Sequence, residues 1–318
     1  MAIRDPAHGA LRTKIARRPV HGVLLLDKPC GITSTAALAR AKNALAAEKG
    51  GHTGTLDPMA SGLLPLCFGE ATKFAADLLD ADKSYAATLR LGVTTTTGDA
   101  EGDILLVRPV AVTRAAIDAA LARQRGTIAQ IPPMYSALKR DGIPLYDYAR
   151  RGVTLERAAR RVEIRRLEVT AFDDASLSIA VDCSKGTYIR TLAEDLGAML
   201  GCGAHLIALR RTRVGALALD AAIALDAFEA LAPDQRSACL LPLDALVASL
   251  PKIELDAMMA VRFMHGQRLP LAASQERGRV RVYGSREAHT SSSVLLGIAD
   301  LRDDGVLAPL RLIVQTPT

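Results

Sequence analysis

The segment from Gly50 to Pro65 constrains this chain of 318 residues more than any other stretch. Its four glycines permit positive φ and close approach of the backbone to a ligand. Asp57 is the one carboxylate in the segment, and Pro58 restricts the backbone directly behind it. A carboxylate on a stiffened loop suits a nucleophile or a general base. Aspartate followed by proline also opens many turns, and aspartate often caps helices, so the segment alone leaves both interpretations open.

The composition predicts a folded protein and is compatible with an anionic partner. Hydrophobic residues make up 49% of the chain, and its net charge is +6, which fits nucleic acid without requiring it. No apolar run approaches the ~20 residues of a membrane span, so we expect no membrane association. The cysteines are odd in number and irregularly spaced, and none form a Cys-x-x-Cys pair. They therefore predict free thiols, mostly in the core, and a cytoplasmic location.

Other kinds of site find little support in the sequence. The glycines around Asp57 lack both the dinucleotide-binding fingerprint and the Gly-Lys-Ser/Thr of a phosphate-binding loop. No Gly-x-Ser-x-Gly elbow indicates a serine hydrolase, and no second carboxylate stands out for glycoside hydrolysis. Cys202 and His205 have the spacing of half a metal site, but no second pair lies nearby, so we expect no metal.

The chain divides into three parts. Residues 1–20 are basic and lack the apolar region of a secretory signal, so we expect a flexible tail, with a phosphate-touching arm as the alternative. Residues 21–250 form the large domain, with an insertion at about 130–155. After Leu250-Pro251, residues 251–318 predict a small, mostly β module.

Hydrophobic patterning predicts the elements around Asp57. Val23–Leu26 indicates a buried strand, and a helix is expected from Thr33 or Ser34 to about Lys49, where Gly50 would end it. Asp57 would then lie on a loop after a helix. Tyr85–Leu91 alternates as a half-buried strand does, and the polar run 94–103 predicts an exposed loop.

The rest of the chain continues the mixed pattern. A helix is expected at about 113–125, and residues 131–152 combine prolines, tyrosines and basic residues as a mobile binding loop would. Strands are expected at 162–170 and 177–183, followed by a helix ending near Gly201. In the C-terminal module the strand-like segments are 279–283, 293–298 and 310–314.

Arginines and tyrosines concentrate in the middle of the chain. The arginines form two clusters, for which two interpretations are open. They form a solvated face, or they form, together with nearby aromatic residues, a surface for phosphates and bases. The clusters comprise Arg150, Arg151, Arg157, Arg160, Arg161, Arg165 and Arg166, and then Arg210, Arg211 and Arg213. Five of the six tyrosines lie in one region, which favours a base-stacking face. They are Tyr85, Tyr135, Tyr146, Tyr148 and Tyr188.

Six separated stretches, in order, resemble the TruB family of tRNA pseudouridine synthases of the bacterial, stand-alone type. They are Gly22–Gly31, His52–Leu64, Lys83–Tyr85, Pro132–Lys139, Gly186–Arg190 and Leu209–Arg211. The sequence departs from the usual family pattern at Gly98-Asp99, in a loop that flanks the site. The resemblance implies an α+β fold, with a mixed, mainly antiparallel sheet flanked by helices, and a small β-rich C-terminal domain like the RNA-binding PUA type.

The resemblance also implies a reaction: isomerisation of the T-loop uridine at position 55 of tRNA, with the base flipped into a cleft and no cofactor. Asp57 would be the nucleophile or base, Tyr85 would stack on the uracil, and Arg190 would pair with Asp57. Lys28, Pro29 and Leu209 would line the pocket, and His52 would pack against the displaced base. Further substrate contacts would come from Tyr188, Lys139, Arg150 and Arg151. The T-arm of tRNA would be the partner of a monomer that needs no partner protein.

General physical chemistry agrees with these roles. Burial raises the pKa of a carboxyl group, and an arginine partner opposes that rise, so Arg190 would keep Asp57 ionised. Two alternatives remain at this stage: an RNA-folding protein without catalysis, and a guide-RNA-dependent synthase of the archaeal and eukaryotic type.

Overall fold

The computed structural model describes residues 16–271, 276–284 and 293–314. The strands, in chain order, are β1 (Gly22–Lys28), β2 (Gly50–His52), β3 (Ala60–Phe68), β4 (Lys83–Leu91), β5 (Val93–Thr95), β6 (Ile104–Val107), β7 (Gly126–Gln130), β8 (Lys139–Arg140), β9 (Ile143–Pro144), β10 (Arg160–Phe172), β11 (Ser176–Cys183), β12 (Ala204–Val214), β13 (Leu217–Ala218), β14 (Ile223–Ala224), β15 (Lys252–Leu255), β16 (Leu269–Pro270), β17 (Gly278–Gly284), β18 (Val294–Leu301) and β19 (Val306–Leu312). The α-helices are α1 (Ser34–Ala44), α2 (Ala75–Leu79), α3 (Arg114–Arg123), α4 (Leu145–Arg150), α5 (Ile189–Met199), α6 (Leu225–Ala230), α7 (Pro233–Ala238) and α8 (Ala257–Met264).

One ten-stranded sheet forms the body of the protein. Its main path runs β14-β1-β3-β12-β4-β11-β10-β7, with β2 added to β3 and β13 to β12. The pairs β1–β14 and β3–β12 are parallel, and the other pairs in this sheet are antiparallel. The prediction of an α+β fold with a mixed, mainly antiparallel sheet is therefore confirmed.

Strand β1 is buried on both faces, which explains its unbroken apolar sequence. Leu24 and Leu26 pack towards α1 and α6, whereas Val23 and Leu25 belong to a core on the opposite face. At the other end of the sheet, α3 and α5 pack against β4, β10 and β11. The central strands β3, β12 and β4 thus have a firm support on which a site can be built.

The C-terminal module forms a second sheet of five strands, in the order β15-β17-β18-β19-β16. The predicted β-rich character is confirmed. The module shares a core with the large domain, because Leu295, Ile298 and Ile313 pack in the same cluster as Val23 and Phe74. An ion pair between Arg279 and Asp77 and a hydrogen bond from Lys73 Nζ to the carbonyl of Leu312 (2.8 Å) also join them.

Helix α1 is shorter than predicted. Thr33 caps it by accepting a hydrogen bond from the amide of Ala36 at 3.0 Å, as expected, but the helix ends at Ala44. Ala46 has a φ of +51°, which interrupts the helix before Gly50. Gly50–His52 then forms β2 against β3. Asp57 therefore follows a short strand, and the prediction that its loop follows a helix directly was wrong.

Two further predictions need correction. The flexible tail was expected to reach residue 20, but Arg18 pairs with Ala47 and its side chain donates to Leu45 O at 3.3 Å. The first fifteen residues lie outside the described part of the chain. The predicted exposed loop 94–103 contains buried positions, since Thr95 Oγ1 donates to Asp99 O at 2.7 Å and both residues are buried.

Candidate active site

The loop that carries Asp57 is fixed at several points. The hydroxyl of Ser34 donates to Leu56 O at 3.0 Å and accepts from Leu56 N at 2.8 Å. The amide of Gly31 donates to Pro58 O at 2.8 Å. Ser34 and Leu56 are buried, so water does not compete for these hydrogen bonds. The residues on either side of Asp57 are thus held by the start of α1 and the turn after β1.

Lys28 supports the same loop from below. Its side chain is fully buried, and Nζ donates to Ile32 O at 2.7 Å, Pro29 O at 2.9 Å and Pro58 O at 3.5 Å. Burial lowers the pKa of Lys28, and the Asp57 charge opposes that fall. We expected Lys28 and Pro29 to line the pocket; neither lines the two cavities beside Asp57, because Lys28 is occupied by backbone carbonyls underneath.

Asp57 and Arg190 form an ion pair, as expected. Arg190 Nη2 lies 3.0 Å from Asp57 Oδ2, and the arginine side chain is only 5% exposed against 37% for the aspartate. Burial raises the pKa of Asp57 and Arg190 opposes the rise. The carboxylate therefore faces an open cavity while its guanidinium partner remains inside the protein, and that guanidinium favours the charged form of the carboxylate.

A second carboxylate, Asp99, reaches the other side of Arg190. Asp99 Oδ2 lies 3.5 Å from Arg190 Nη1, and its side chain is 4% exposed. Thr97 Oγ1 donates to Asp99 Oδ1 at 2.5 Å, and the amide of Glu101 donates to the same oxygen at 3.1 Å. One guanidinium thus serves two carboxylates. The sequence marked Asp99 only as part of a flanking polar loop, and nothing in its spacing distinguished it from a surface turn.

Arg190 is oriented by the segments around it. It is the second residue of α5, two positions after Tyr188, whose backbone forms two hydrogen bonds with the buried side chain of Gln130 at 2.9 and 3.1 Å. Its guanidinium also donates to Tyr135 O at 2.6 Å and Thr97 O at 3.2 Å. Arg190 therefore has little freedom to leave Asp57.

The cavity next to Asp57 has a volume of about 330 Å³, within the range of small-molecule sites. Tyr85, Tyr188 and Leu209 lie in its wall together with Asp57 and Arg190. Burial raises the pKa of Tyr85 and of Tyr188, so both phenols are neutral at ordinary pH. Two aromatic rings, one aliphatic side chain and a carboxyl group can hold a flat, polar ring.

A second cavity of about 510 Å³ adjoins the first and also contains Asp57 and Arg190 in its lining. Tyr146 and Arg150 line it, and both come from residues 131–152, the predicted binding loop, which is called the binding segment below. The Arg150 guanidinium carbon lies 5.3 Å from the centre of the Tyr146 ring, in cation–π geometry. The segment forms a short hairpin (β8–β9) and helix α4, and this brings part of its basic surface to the cavity.

The remaining predicted residues lie outside both cavities. His52 is part of β2, and burial and the charge of Arg211 lower its pKa, which favours a neutral ring. Lys139 and Arg151 are exposed on the binding segment. Arg210, from the second arginine cluster, pairs with Asp27 at 2.6 Å, so that cluster is not a free cationic patch.

No metal site or membrane-crossing helix is found in the part of the chain that the structure describes. Within residues 16–271, 276–284 and 293–314, no three His, Cys, Asp or Glu side chains lie together as metal ligands would. His205 Nδ1 lies 2.9 Å from Val93 O. Among the same residues, no helix combines the length and apolar character needed to cross a membrane. All five cysteines are free, as predicted.

Comparison with known proteins decides the family. Residues 42–189 match the N-terminal domain of the TruB family pseudouridylate synthases. The chain belongs to this family. Residues 190–248 match the tRNA pseudouridylate synthase B C-terminal domain, and residues 251–313 match the C-terminal domain of pseudouridine synthase II TruB. The TruB-family chain is therefore an isomerase of the pseudouridine synthase type, with family domains along almost its whole length.

Individual relatives of this TruB-family chain agree. It is 60% identical over 307 residues to tRNA pseudouridine synthase B of Ralstonia nicotianae, covering 95% of this chain and 97% of that protein. It is 58% identical over 309 residues to the protein of the same name from Burkholderia mallei, with 95% and 97% coverage. Among solved structures, a Cbf5-Nop10-Gar1 complex aligns with a TM-score of 0.70 and 27% identity, covering 92% of this chain and 84% of that one.

Proposed function

We propose that this enzyme converts the uridine at position 55 in the T-loop of tRNA to pseudouridine, with Asp57 as its catalytic residue. The relatives that match it along nearly their full length are named tRNA pseudouridine synthase B. The observation that carries the proposal is the Asp57–Arg190 ion pair in the wall of a cavity that Tyr85, Tyr188 and Leu209 also line. This arrangement suits a base held beside one carboxylate.

The reaction breaks the bond between uracil N1 and ribose C1′, turns the base, and joins C5 to C1′. The proton on C5 leaves, and N1 gains a proton, so product and substrate have the same composition. No oxidant or group donor is required. Asp57 acts either by attacking the ribose or by removing a sugar proton, and both routes need its ionised form.

Arg190 keeps Asp57 in that form. Since burial raises the pKa of Asp57, an isolated carboxyl at this position would carry a proton over a wider pH range. The guanidinium at 3.0 Å counters this. Asp99, at 3.5 Å on the far side, holds the guanidinium in place.

The target base has to leave the T-loop before it reaches Asp57. Extruding a stacked base costs about a few kcal/mol, and stacking on an aromatic side chain returns about 1–3 kcal/mol. Tyr85 offers that ring in the cavity wall, with Leu209 beside it. Contacts with phosphates by exposed basic residues of the binding segment would supply further stabilisation; these are Lys139, Arg150 and Arg151. His52, neutral and adjacent to the Asp57 loop, would fill the space that the base leaves.

The C-terminal module would extend the RNA-binding surface, as a PUA-like domain. Its sheet is fixed to the large domain by the shared core and the Arg279–Asp77 ion pair. Its position relative to Asp57 is therefore set before RNA binds. A preset separation would let the enzyme measure the distance from the T-loop along the stem.

The test uses tRNA transcripts labelled with tritium at uridine C5. Joining through C5 expels the label to water, so tritium release measures isomerisation itself. We expect the purified protein alone to release tritium from full-length tRNA and from a T-arm hairpin. Tight binding without release from either RNA would contradict the proposal and favour an RNA-folding protein or a synthase that requires a guide RNA.

A further inference from the structure

Arg211 is the largest fully buried side chain of the described residues, and it lies behind the active site. It comes from β12, two residues after Leu209, and is paired in the sheet with Gly62 of β3 and Tyr85 of β4. Among the described residues, no carboxylate forms an ion pair with it. A buried charge without a partner of opposite sign is costly, so its retention calls for a function.

The guanidinium of Arg211 donates hydrogen bonds to the loop that carries Asp57 and to strand β3. Nε donates to Leu63 O at 2.8 Å, Nη2 to Gly54 O at 3.2 Å and Nη1 to Thr55 O at 3.4 Å. Gly54 and Thr55 precede Asp57 by three and two residues. Arg211 thus holds the residues before Leu56, whereas Ser34 holds Leu56 and Lys28 holds Pro58.

Arg211 is also the register partner of Tyr85 across the β12–β4 pair, and its guanidinium opposes the rise that burial causes in the pKa of the Tyr85 phenol. Tyr85 and Asp57 line the same cavity. One rigid, planar group therefore joins the loop that carries the carboxylate to the ring on which the base would stack. Lysine would not reproduce this, because an ammonium group lacks the fork geometry that reaches several acceptors at once.

The backbone of Arg211 is placed by an unusually close approach of two strands. Gly62 has a φ of +101°, and a Cβ there would lie 2.3 Å from the carbonyl oxygen of Arg211. Only glycine lets β3 and β12 come this near. The pairing of β3 with β12 therefore fixes the position of the Arg211 backbone relative to the site.

We propose that Arg211 is a positioning residue for the isomerisation, which fixes the Tyr85 phenol and the Asp57 loop relative to each other. This inference rests on the proposed function. It assigns Arg211 no contact with the substrate: its effect passes through Tyr85 and through the carbonyls of Gly54 and Thr55. The positive charge of Arg211 also favours the deprotonated form of the Tyr85 phenol, and it therefore opposes the rise that burial causes in the Tyr85 pKa.

The kinetic test compares Arg211→Lys and Arg211→Met with Arg213→Met. Arg213 is a matched control from the same strand, exposed and hydrogen-bonded to Ser84 Oγ at 3.0 Å, and it does not line the Asp57 cavities. Misplacing reacting groups by about 1 Å slows a reaction by roughly 100-fold. We expect such a loss in single-turnover rate for Arg211→Lys, with tRNA affinity within about threefold of wild type, and little change for Arg213→Met.

A spectroscopic test separates positioning from stability alone. The protein is labelled with 3-fluorotyrosine, and the Tyr85 signal is assigned in ¹⁹F spectra by its absence from Tyr85→Phe. We expect the titration of the Tyr85 signal to move to higher pH in Arg211→Lys and Arg211→Met, and to stay unchanged in Arg213→Met. If Arg211→Met does not fold, Arg211→Lys still carries the test, because it keeps a positive charge near the loop but lacks the fork that reaches several acceptors at once.

The outcomes distinguish this inference from the proposed function. Wild-type protein that releases no tritium from tRNA would contradict the proposed function itself. Active wild type, combined with an Arg211→Lys variant of normal rate and unchanged Tyr85 titration, would overturn only the role of Arg211. A variant that loses rate and tRNA affinity equally, with an unshifted Tyr85 signal, would also overturn it and make Arg211 a residue of stability alone.

Discussion

Replacement of Arg190 by methionine probes the charge balance of the site most directly. The change keeps much of the side-chain volume and leaves Asp57 and Asp99 without the cation that lies 3.0 and 3.5 Å from them. Two unit charges at 3.0 Å attract by about 5–6 kcal/mol at an effective dielectric constant of about 20. Lys28 and water reaching the 37% exposed Asp57 replace part of this. We therefore expect a loss of about 3 kcal/mol, roughly 100-fold in rate.

The pH dependence of the rate shows in which direction the pKa of Asp57 shifts when Arg190 is removed. Burial and the neighbouring Asp99 both raise the pKa of Asp57, and Arg190 is the largest opposing influence. Without Arg190 the pKa of Asp57 rises further, and the acid limb of the rate profile moves to higher pH. Part of the lost activity should return as the pH is raised, because Asp57 then ionises.

Single-turnover tritium release at several pH values measures this, alongside tRNA affinity by filter binding. The control is Arg114→Met, which breaks an exposed helical ion pair of 3.0 Å with Asp118 and should leave both quantities near wild type. Equal losses in rate and affinity, or an acid limb that stays in place, would refute the reasoning.

Three further changes test the support and the RNA contacts. Ser34→Ala removes both hydrogen bonds to Leu56 and should lower stability by about 1–3 kcal/mol, seen as a lower melting temperature; an unchanged value would mean the loop is held elsewhere. Gly62→Ala places a Cβ 2.3 Å from Arg211 O and should prevent stable folding, whereas Gly51→Ala, with open space around it, should fold normally. Soluble, cooperative unfolding of both would contradict the packing argument. A triple neutralisation on the binding segment should reduce the slope of log affinity against log salt by about two to three, and an unchanged slope would make that segment structural; the residues are Lys139, Arg150 and Arg151.

Local patterns in the sequence were enough to place individual strands and the loop that carries Asp57, whereas the fold class followed from the family resemblance. The alternation along Tyr85–Leu91 indicates a strand buried on one face, and the apolar run of β1 indicates a strand buried on both faces. Both strands are found in the structure. The end of α1 was missed because alanine itself favours a helix, whereas the left-handed Ala46 accepts a hydrogen bond at its carbonyl from the amide of the distant Arg18 at 2.8 Å.

The Asp57–Arg190 pair was expected from the family resemblance, since 133 positions separate the two residues along the chain. Asp99 and Arg211 were not assigned a role. Their importance lies in burial and in contacts across strands, and a polar turn or an arginine cluster in sequence carries neither. Lys28 shows the converse, because the family resemblance marked it as a site residue whereas its burial under the Asp57 loop was not evident from the sequence.

The most direct measurement maps pseudouridine along an unmodified tRNA after incubation with wild-type protein or with Asp57→Asn. Carbodiimide adducts on pseudouridine stop reverse transcriptase at a defined position. We predict one stop, reporting position 55, with wild type, and none with Asp57→Asn, which should still bind tRNA because the phosphate contacts lie elsewhere. The same stop with Asp57→Asn, or stops at other uridines with wild type, would contradict the account.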